Sequence, residues 1–318
     1  MRIPTNFLLS PFFPTNIYQK MQPFPPYMRL IEIKGYKFYL YMKTRLLLSS
    51  FLLTFCCFCT LEAKDIKGNG NVSTREYPVN EYHTIAIGKE LSCGESSFWG
   101  LFSSHSNDGI NCHYSQQEKA SLQITADENL LEHISVEVEE GQLTVKSKNN
   151  DRLIPTQLKI TTGSKQLEKV VVSAGINFYL ETQLNGSSLI VIASGGSDIN
   201  MKKPVHVDFC KSLSSGGSDI YFDDLTCNRL ICESSGGSDT HIKGKADEAE
   251  MRASGGSDIK AFSFIVKQLI CSASGGADIY ANASEYLKAN ASGGSDIHYK
   301  GDARVESSSS GGSDIYKE

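Results

Sequence analysis

The chain has 318 residues, long enough for two domains, and carries 31 Lys and Arg against 36 Asp and Glu. Residues 1–63 read as a segment outside the mature fold and hold seven of the basic and two of the acidic residues, which leaves a net charge of −10. That balance speaks against nucleic acid or an anionic bilayer as a partner held by charge.

Residues 1–41 are rich in Pro, Phe and Tyr, show no useful period, and read as an over-long start or a disordered extension. Residues 42–63 read as a secretory signal peptide. Met42-Lys43-Thr44-Arg45 supplies a basic start, Leu46–Cys59 an apolar stretch too short to span a bilayer, and Leu61-Glu62-Ala63 a small residue for cleavage. The expected location is therefore the periplasm, the outer surface or the extracellular space, with no transmembrane segment in the mature chain. Six of the nine cysteines remain after that cleavage.

Residues 64–163 carry strand signals without a repeat and are expected to form an N-terminal β portion that caps the rest of the chain. Tyr82–Gly88 alternates, Leu122–Thr125 comes next, and Ile134–Val138 and Leu143–Val145 flank a turn at Glu139-Glu140-Gly141. Between them lies a Gly/Ser-rich stretch bounded by Cys93 and Cys112 and containing Phe98, Trp99 and Phe102. In an oxidising compartment Cys93 and Cys112 are expected to close this loop as a disulfide contributing about 3 kcal/mol. Clustered aromatics on a loop either tuck against the fold or contact a partner. A metal site from Cys93, His105, Cys112 and His113 is the sharper alternative, but its spacing matches no standard ligand pattern.

Residues 164–318 repeat one phrase, Ser-Gly-Gly-Ser-Asp-Ile. It stands at Ser194–Ile199, Ser215–Ile220, Ser254–Ile259, Ser292–Ile297 and Ser310–Ile315, with close copies at Ser235–Thr240 and Ser274–Ile279 and a divergent one at Ser173–Phe178. Successive copies are 18 to 21 residues apart, the signature of a solenoid. Every second residue before the phrase is small or apolar, so one set points inward and the other faces solvent. The expected fold is all-β: a parallel β-helix of about eight coils, right-handed because right-handed crossovers dominate. Cys232 and Cys271 fall on the inward row two coils apart and read as buried thiols.

Ala126-Asp127-Glu128-Asn129-Leu130-Leu131, the hairpin Ile134–Lys146, and Val170-Val171-Val172-Ser173-Ala174-Gly175-Ile176-Asn177 occur in that order. With these motifs the chain resembles the head GIN domain family of exported bacterial auto-transporter adhesins, over residues 68–318. The resemblance implies a β-helical fold, export and adhesion, and brings no catalytic residues with it. No barrel-forming segment follows Ile315, so transport by the chain's own C-terminus is not expected.

Two rows carry the candidate chemistry. Asp198, Asp219, Asp239, Asp258, Asp278, Asp296 and Asp314 stack at about 4.8 Å, and like charges that close cost roughly 1 kcal/mol per pair in water. Two offsets stay open: hydrogen bonds from corner Ser and N–H groups, or a row of bound calcium ions. Two positions later come Asn200, Tyr221, His241, Lys260, Tyr280, His298 and Tyr316, either plain ladder residues or a stripe offering ring faces to sugars and carboxylates to hydroxyls. Enzyme motifs are missing, apart from Asp223-Asp224 beside Asp219, which imitates a polysaccharide-cleaving site. The expected function is a non-catalytic binding or adhesion module for a glycan or protein surface ligand. End-to-end self-association through an uncovered final strand is the structural alternative.

Overall fold

The computed structural model describes residues 64–93 and 110–318, together with the backbone of β1 (Met28–Ile33) and β2 (Tyr36–Tyr41). β1 and β2 pair antiparallel, so strand structure does occur in a region where the sequence offers no useful period. They belong to a separate unit, Met1–Leu61. The signal-peptide segment and Phe98, Trp99 and Phe102 lie outside the described residues. Among the described residues no helix is long and apolar enough to cross a membrane.

The second unit is a β-solenoid of about seven turns. In chain order its strands are β3 (Asp65–Lys67), β4 (Val72–Glu76), β5 (Thr84–Ile87), β6 (Ile110–Gln116), β7 (Ser121–Asp127), β8 (Ile134–Glu139), β9 (Gln142–Ser147), β10 (Arg152–Ile154) and β11 (Leu158–Ser164). Then come β12 (Lys169–Ser173), β13 (Ile176–Leu180), β14 (Leu184–Ser194), β15 (Ile199–Met201), β16 (Val205–Ser215), β17 (Ile220–Ser235), β18 (Asp239–Gly255), β19 (Asp258–Gly275) and β20 (Asp278–Gly293). The last coils hold β21 (Ile297–Lys300), β22 (Arg304–Gly311) and β23 (Ile315–Lys317).

Each full coil runs along one face after the Asp, bends through a short middle segment, and returns along another face to the next Ser-Gly-Gly corner. The two rows expected inside are inside. Val170, Val191, Ser212, Cys232, Met251, Cys271, Ala289 and Ser307 stand in one ladder, and all but Ser307 are buried. Cys232 and Cys271 flank Met251, are fully buried, and remain free thiols. Thr240 replaces the usual Ile without leaving an orphan, because its hydroxyl lies 2.7 Å from Ser234 and 3.1 Å from Ser214 inside the coil.

The corner explains the motif. The second Ser of the phrase is buried in every copy that has it, and at Ser257 its Oγ accepts the Ser254 N–H at 3.1 Å and donates to a carbonyl, Ser254 at 2.9 Å or Ser234 at 2.8 Å. Ser238, Ser295 and Ser313 close their corners in the same way. A short side chain that both donates and accepts thus satisfies backbone groups that would otherwise be buried unpaired. The first glycine must turn left-handed: Gly275 has φ +82° and its missing Cβ would lie 3.1 Å from the backbone nitrogen of Gly255.

The N-terminal portion is woven into the solenoid, not merely set on its end. β5 pairs parallel with β12, and β6 parallel with β13, so β5 and β6 form the coil before the first Ser-Ala-Gly corner. The coil beyond that one comes from later sequence, β9 beside β5 and β11 beside β6. β8 and β7 then add antiparallel to β9 and β11, and β4 to β7. Asp127 pins this crossing: fully buried, it accepts the Gly70 N–H at 2.7 Å and the Thr156 N–H and hydroxyl at 2.8 Å. These bonds hold its carboxyl below the usual range against the opposing effect of burial.

The expected Cys93–Cys112 disulfide is not formed, and both thiols are free. Cys112 sits on the inward row of β6, fully buried between Ile160 and Phe178, whereas Cys93 bridges to Leu153. His113 points outward from the same strand, so Cys112 and His113 do not face one another as metal ligands would.

Two glycines test the corner. Gly275→Ala is expected to lower the denaturation midpoint, with a cost of about 1–2 kcal/mol for a left-handed residue. Gly256→Ala, where φ is not positive and nothing lies within 4 Å of the new Cβ, is expected to leave it unchanged or raise it slightly. Equal effects of the two substitutions in chemical denaturation would contradict this account of the corner.

Candidate functional site

The face that comes after each Asp is built of three outward rows, and the first is the Asp row. The carboxylates do not stand as bare stacked charges. At every rung but Asp278 the backbone N–H donates to Oδ1 of the counterpart one coil earlier: Asp198 to Asn177 at 3.2 Å, Asp219 to Asp198 at 3.1 Å, Asp239 to Asp219 at 2.9 Å and Asp258 to Asp239 at 3.2 Å. The ladder resumes from Asp296 to Asp278 at 3.0 Å and Asp314 to Asp296 at 2.9 Å. A charged acceptor on an amide donor makes a strong bond and offsets the repulsion between neighbours. Asn177 and Asn111 extend the row toward the N-terminus, with their side chains 3.5 Å apart.

Asp198 is the exception in charge. Burial, and then the neighbouring Asp219, push its carboxyl above the usual range, so its charged form is held less well than in the unfolded chain. Among the described residues no three acidic, histidine or cysteine side chains converge where a cation would sit. The row is a ladder of single carboxylates, five of the seven with one oxygen committed to backbone, whereas Ca²⁺ takes six to eight oxygens.

The second row is the stripe. Register places Tyr179, Asn200, Tyr221, His241, Lys260, Tyr280, His298 and Tyr316 on consecutive rungs, with His113 before Tyr179. The rings stack along the solenoid axis: His113 on Tyr179 at 5.0 Å, Tyr221 on His241 at 4.8 Å, Tyr280 on His298 at 4.9 Å and His298 on Tyr316 at 5.2 Å between centroids. Stacked rings cover one another's faces, which corrects the expectation that those faces are open to sugars. What the stripe presents outward is ring edges, phenol and imidazole groups, and the carboxylates beside them.

These groups are tied to the Asp row. The Tyr221 phenol donates to Asp219 Oδ2 at 3.1 Å and the Tyr316 phenol to Asp314 Oδ2 at 2.9 Å. Burial and the adjoining Asp219 push the Tyr221 phenol up to about 12, so it stays a donor at any physiological pH. Burial and the neighbouring Lys260 ammonium pull the His241 imidazole down, which keeps that ring neutral at pH 7. Lys260 breaks the aromatic run, and its ammonium bridges Asp239 Oδ2 at 2.6 Å and Asp258 Oδ2 at 3.4 Å.

The third row lies two residues further on. Glu181, Asp223 and Glu318 there balance Lys202, Lys243 and Lys300, so the seven Asp against Lys260 leave the face at −6. Asp223 pairs with Lys243 at 2.9 Å, and Asp219 has one oxygen on the Asp239 N–H and the other on Tyr221. The arrangement imitating a polysaccharide-cleaving site therefore does not assemble: these carboxylates are engaged along a flat face and do not oppose one another across a cleft.

The sequence points to the stripe from Asn200 onward but misses His113 and Tyr179. Tyr179 carried a usable signal, two residues after Asn177 in the divergent copy, whereas His113 has none because its coil lacks the phrase. Two further surfaces are visible only in three dimensions. Val171, Ile192 and Leu213 form three consecutive rungs of an outward row on the face preceding the corner, beside Ile190 and Ile231. Further along that face a groove of about 660 Å³ is lined mainly by Ser and Ala, with Glu233 and Arg252 at its N-terminal end.

Comparison with known proteins places this geometry. Residues 105–303, well over half of the chain, match the family described as "Putative auto-transporter adhesin, head GIN domain". A protein from Parabacteroides merdae described as a putative adhesin is 25% identical, with a TM-score of 0.71 over 80% of this chain and 99% of its own. One from Parabacteroides distasonis, also described as a putative adhesin, is 26% identical, with a TM-score of 0.71 over 80% and 100%. Another from the same species, described as a putative lipid binding protein, is 26% identical with a TM-score of 0.70 over 80% and 99%. No curated protein matches the chain.

Two measurements test the Asp row. Asp198→Asn keeps the Oδ1 acceptor for the Asp219 N–H and removes a disfavoured charge, so it is expected to raise the melting temperature at pH 7. Because the folded-state pKa of Asp198 is raised, its unfavourable contribution is fully present above that pKa and is lost as pH falls to the unfolded value near 4. The gain from the Asn variant should therefore vanish in acid. Calorimetric titration with calcium is expected to show no stoichiometric binding, and a chelator no change in melting; several bound ions would overturn the ladder account.

Proposed function

We propose, from the premise that the chain belongs to the auto-transporter adhesin, head GIN domain family, that it is a non-catalytic binding module of the bacterial cell envelope. In this reading the protein is exported and holds a surface ligand along the face bearing the Asp row and the aromatic stripe. One observation carries it: nine successive rungs, from His113 to Tyr316, present an uninterrupted outward row of rings and polar groups beside a carboxylate row. A core does not need this, since every one of these side chains points away from it.

The form of the face sets how it would hold a ligand. It is flat, repeats at the solenoid rise, and covers its own ring faces, so an extended ligand meets ring edges and oxygens at several rungs at once. Each contact is weak, and together they gain from multivalency. The uniform row also argues against catalysis, which needs one position unlike its neighbours. The relatives described as adhesins support a binding role, and their sharing of the whole coil array supports using the array as the binding surface.

The test is a binding screen of the full chain on glycan and matrix-protein arrays. Ligands that bind are expected to lose about tenfold or more against the combined variant Tyr221→Ser, His241→Ser, Tyr280→Ser and His298→Ser. They should keep their affinity for Ile265→Ser, which removes an exposed apolar side chain elsewhere. Unchanged binding by the stripe variant would move the function off this face. Release of new reducing ends from uronic-acid glycans would overturn the non-catalytic reading.

A further inference from the structure

Two aspartates are buried in the N-terminal portion, and their carboxylates are served very differently. Asp127 accepts three hydrogen bonds at 2.7 to 2.8 Å. Asp151 is also buried, its side chain 8% exposed, yet among the described residues its carboxylate has two long contacts only. Oδ1 takes the Lys64 backbone N–H at 3.4 Å, and Oδ2 faces His133 Nδ1 at 3.3 Å. Neither donor carries a permanent charge, since an amide is neutral and an imidazole is charged only when protonated. A carboxylate buried without a cation beside it is unfavourable. The other charged groups here are engaged with one another or with backbone. Arg152 pairs with Asp65, Glu132 lies 3.6 Å from His133 Nε2, and Lys148 Nζ donates to the Glu132 carbonyl at 2.7 Å.

Lys64 is held beside that carboxylate. Its carbonyl accepts the Arg152 N–H at 2.9 Å, and β3 pairs with β10 from Asp65 and Arg152 onward. Lys64 also follows directly on Leu61-Glu62-Ala63, the sequence expected to be cut. We propose that removal of the leader at Ala63–Lys64 creates an α-ammonium group that Asp151 binds, so that processing completes the N-terminal portion of the fold. A signal peptidase adds water across the peptide bond. Ala63 departs as a carboxylate, and the Lys64 nitrogen is left as an amine that takes up a proton from solvent. One neutral N–H donor thereby becomes a cation with three, already at the buried carboxylate that lacks one. The gain falls where the fold needs it. β3 and β10 are three residues each in a two-stranded sheet, an arrangement of marginal stability by itself, and the ion pair fixes the residue that leads into it. The inference rests on the export part of the reading above and is independent of the aromatic stripe.

The experiment expresses the full chain in an exporting bacterium, isolates the processed protein and reads its N-terminus by mass spectrometry. Lys64 is expected as the first residue. The α-amino group is then labelled by reductive dimethylation with a carbon-13 reagent, and its titration is followed by NMR. Such a group ordinarily titrates at about 7.7–8.0. Paired with Asp151 it is expected to hold its proton about tenfold more tightly, and Asp151→Asn should return it to the ordinary range. Because the folded-state value is raised, the contribution of the pair is complete below the ordinary value and is lost as pH rises through the folded one. The processed chain should therefore melt above its Asp151→Asn variant at pH 7 and lose much of that lead by about pH 10. An ordinary titration of the α-amino group in the unsubstituted chain would overturn the proposal, even where Asp151→Asn fails to fold. An exported chain that starts at a residue other than Lys64 would overturn it alone, whereas a chain kept uncut in the cytoplasm would overturn the export reading with it.

Discussion

Every coil of this protein has to turn a corner tightly enough for the next coil to stack on it, and the backbone groups at that corner are shut away from water. The Ser-Gly-Gly-Ser-Asp phrase answers that constraint residue by residue. A left-handed glycine makes the turn, a buried serine hydroxyl takes up an N–H and a carbonyl inside it, and the Asp carboxylate receives the N–H of the next corner. Unpaired, each of those buried groups would cost on the order of 1–3 kcal/mol, and the cost would recur at every coil. The corner is therefore the most uniform part of the repeat, while strand residues vary around it.

Committing one carboxylate oxygen to the ladder shapes the outward face. Charges that would repel in a bare column are held by amide donors, and the second oxygen is left to the outward side. There it meets Tyr221 and Tyr316 phenols or the Lys260 ammonium, each from the stripe of its own coil or the next. The same stacking distance that lets the carboxylates share backbone donors brings the stripe rings into contact, face against face. Structure and surface chemistry are thus products of one repeat distance. A face made this way is regular and multivalent, which suits adhesion better than it suits turnover.

The end nearest the N-terminus solves a different problem, that of starting a stack. Two early strands, β5 and β6, wait between a coil made from later sequence, β9 with β11, and the first true repeat. Antiparallel strands then cover the outside, and buried Asp127 ties three segments of backbone together at the crossing. Interleaving makes the N-terminal portion inseparable from the repeats, because its strands supply ladder partners on both faces.

The sequence by itself determined the solenoid, its coil length and its inward rows, because alternation and an 18–21-residue period are local consequences of strand geometry and stacking. It also determined which side chains share a rung, so Tyr221, His241, Tyr280, His298 and Tyr316 could be placed on one stripe without coordinates. Only the tertiary structure decided what those neighbours do to one another. That Asp219 Oδ1 takes the Asp239 N–H, that the rings hide their faces, and that Cys112 is buried between Ile160 and Phe178 all depend on side-chain direction and on register between coils 20 or more residues apart. Register of β5 and β6 between strands that come later in the chain arises from no local pattern, since the hydrophobic faces of several strands would fit the same gap and only the assembled core selects among them.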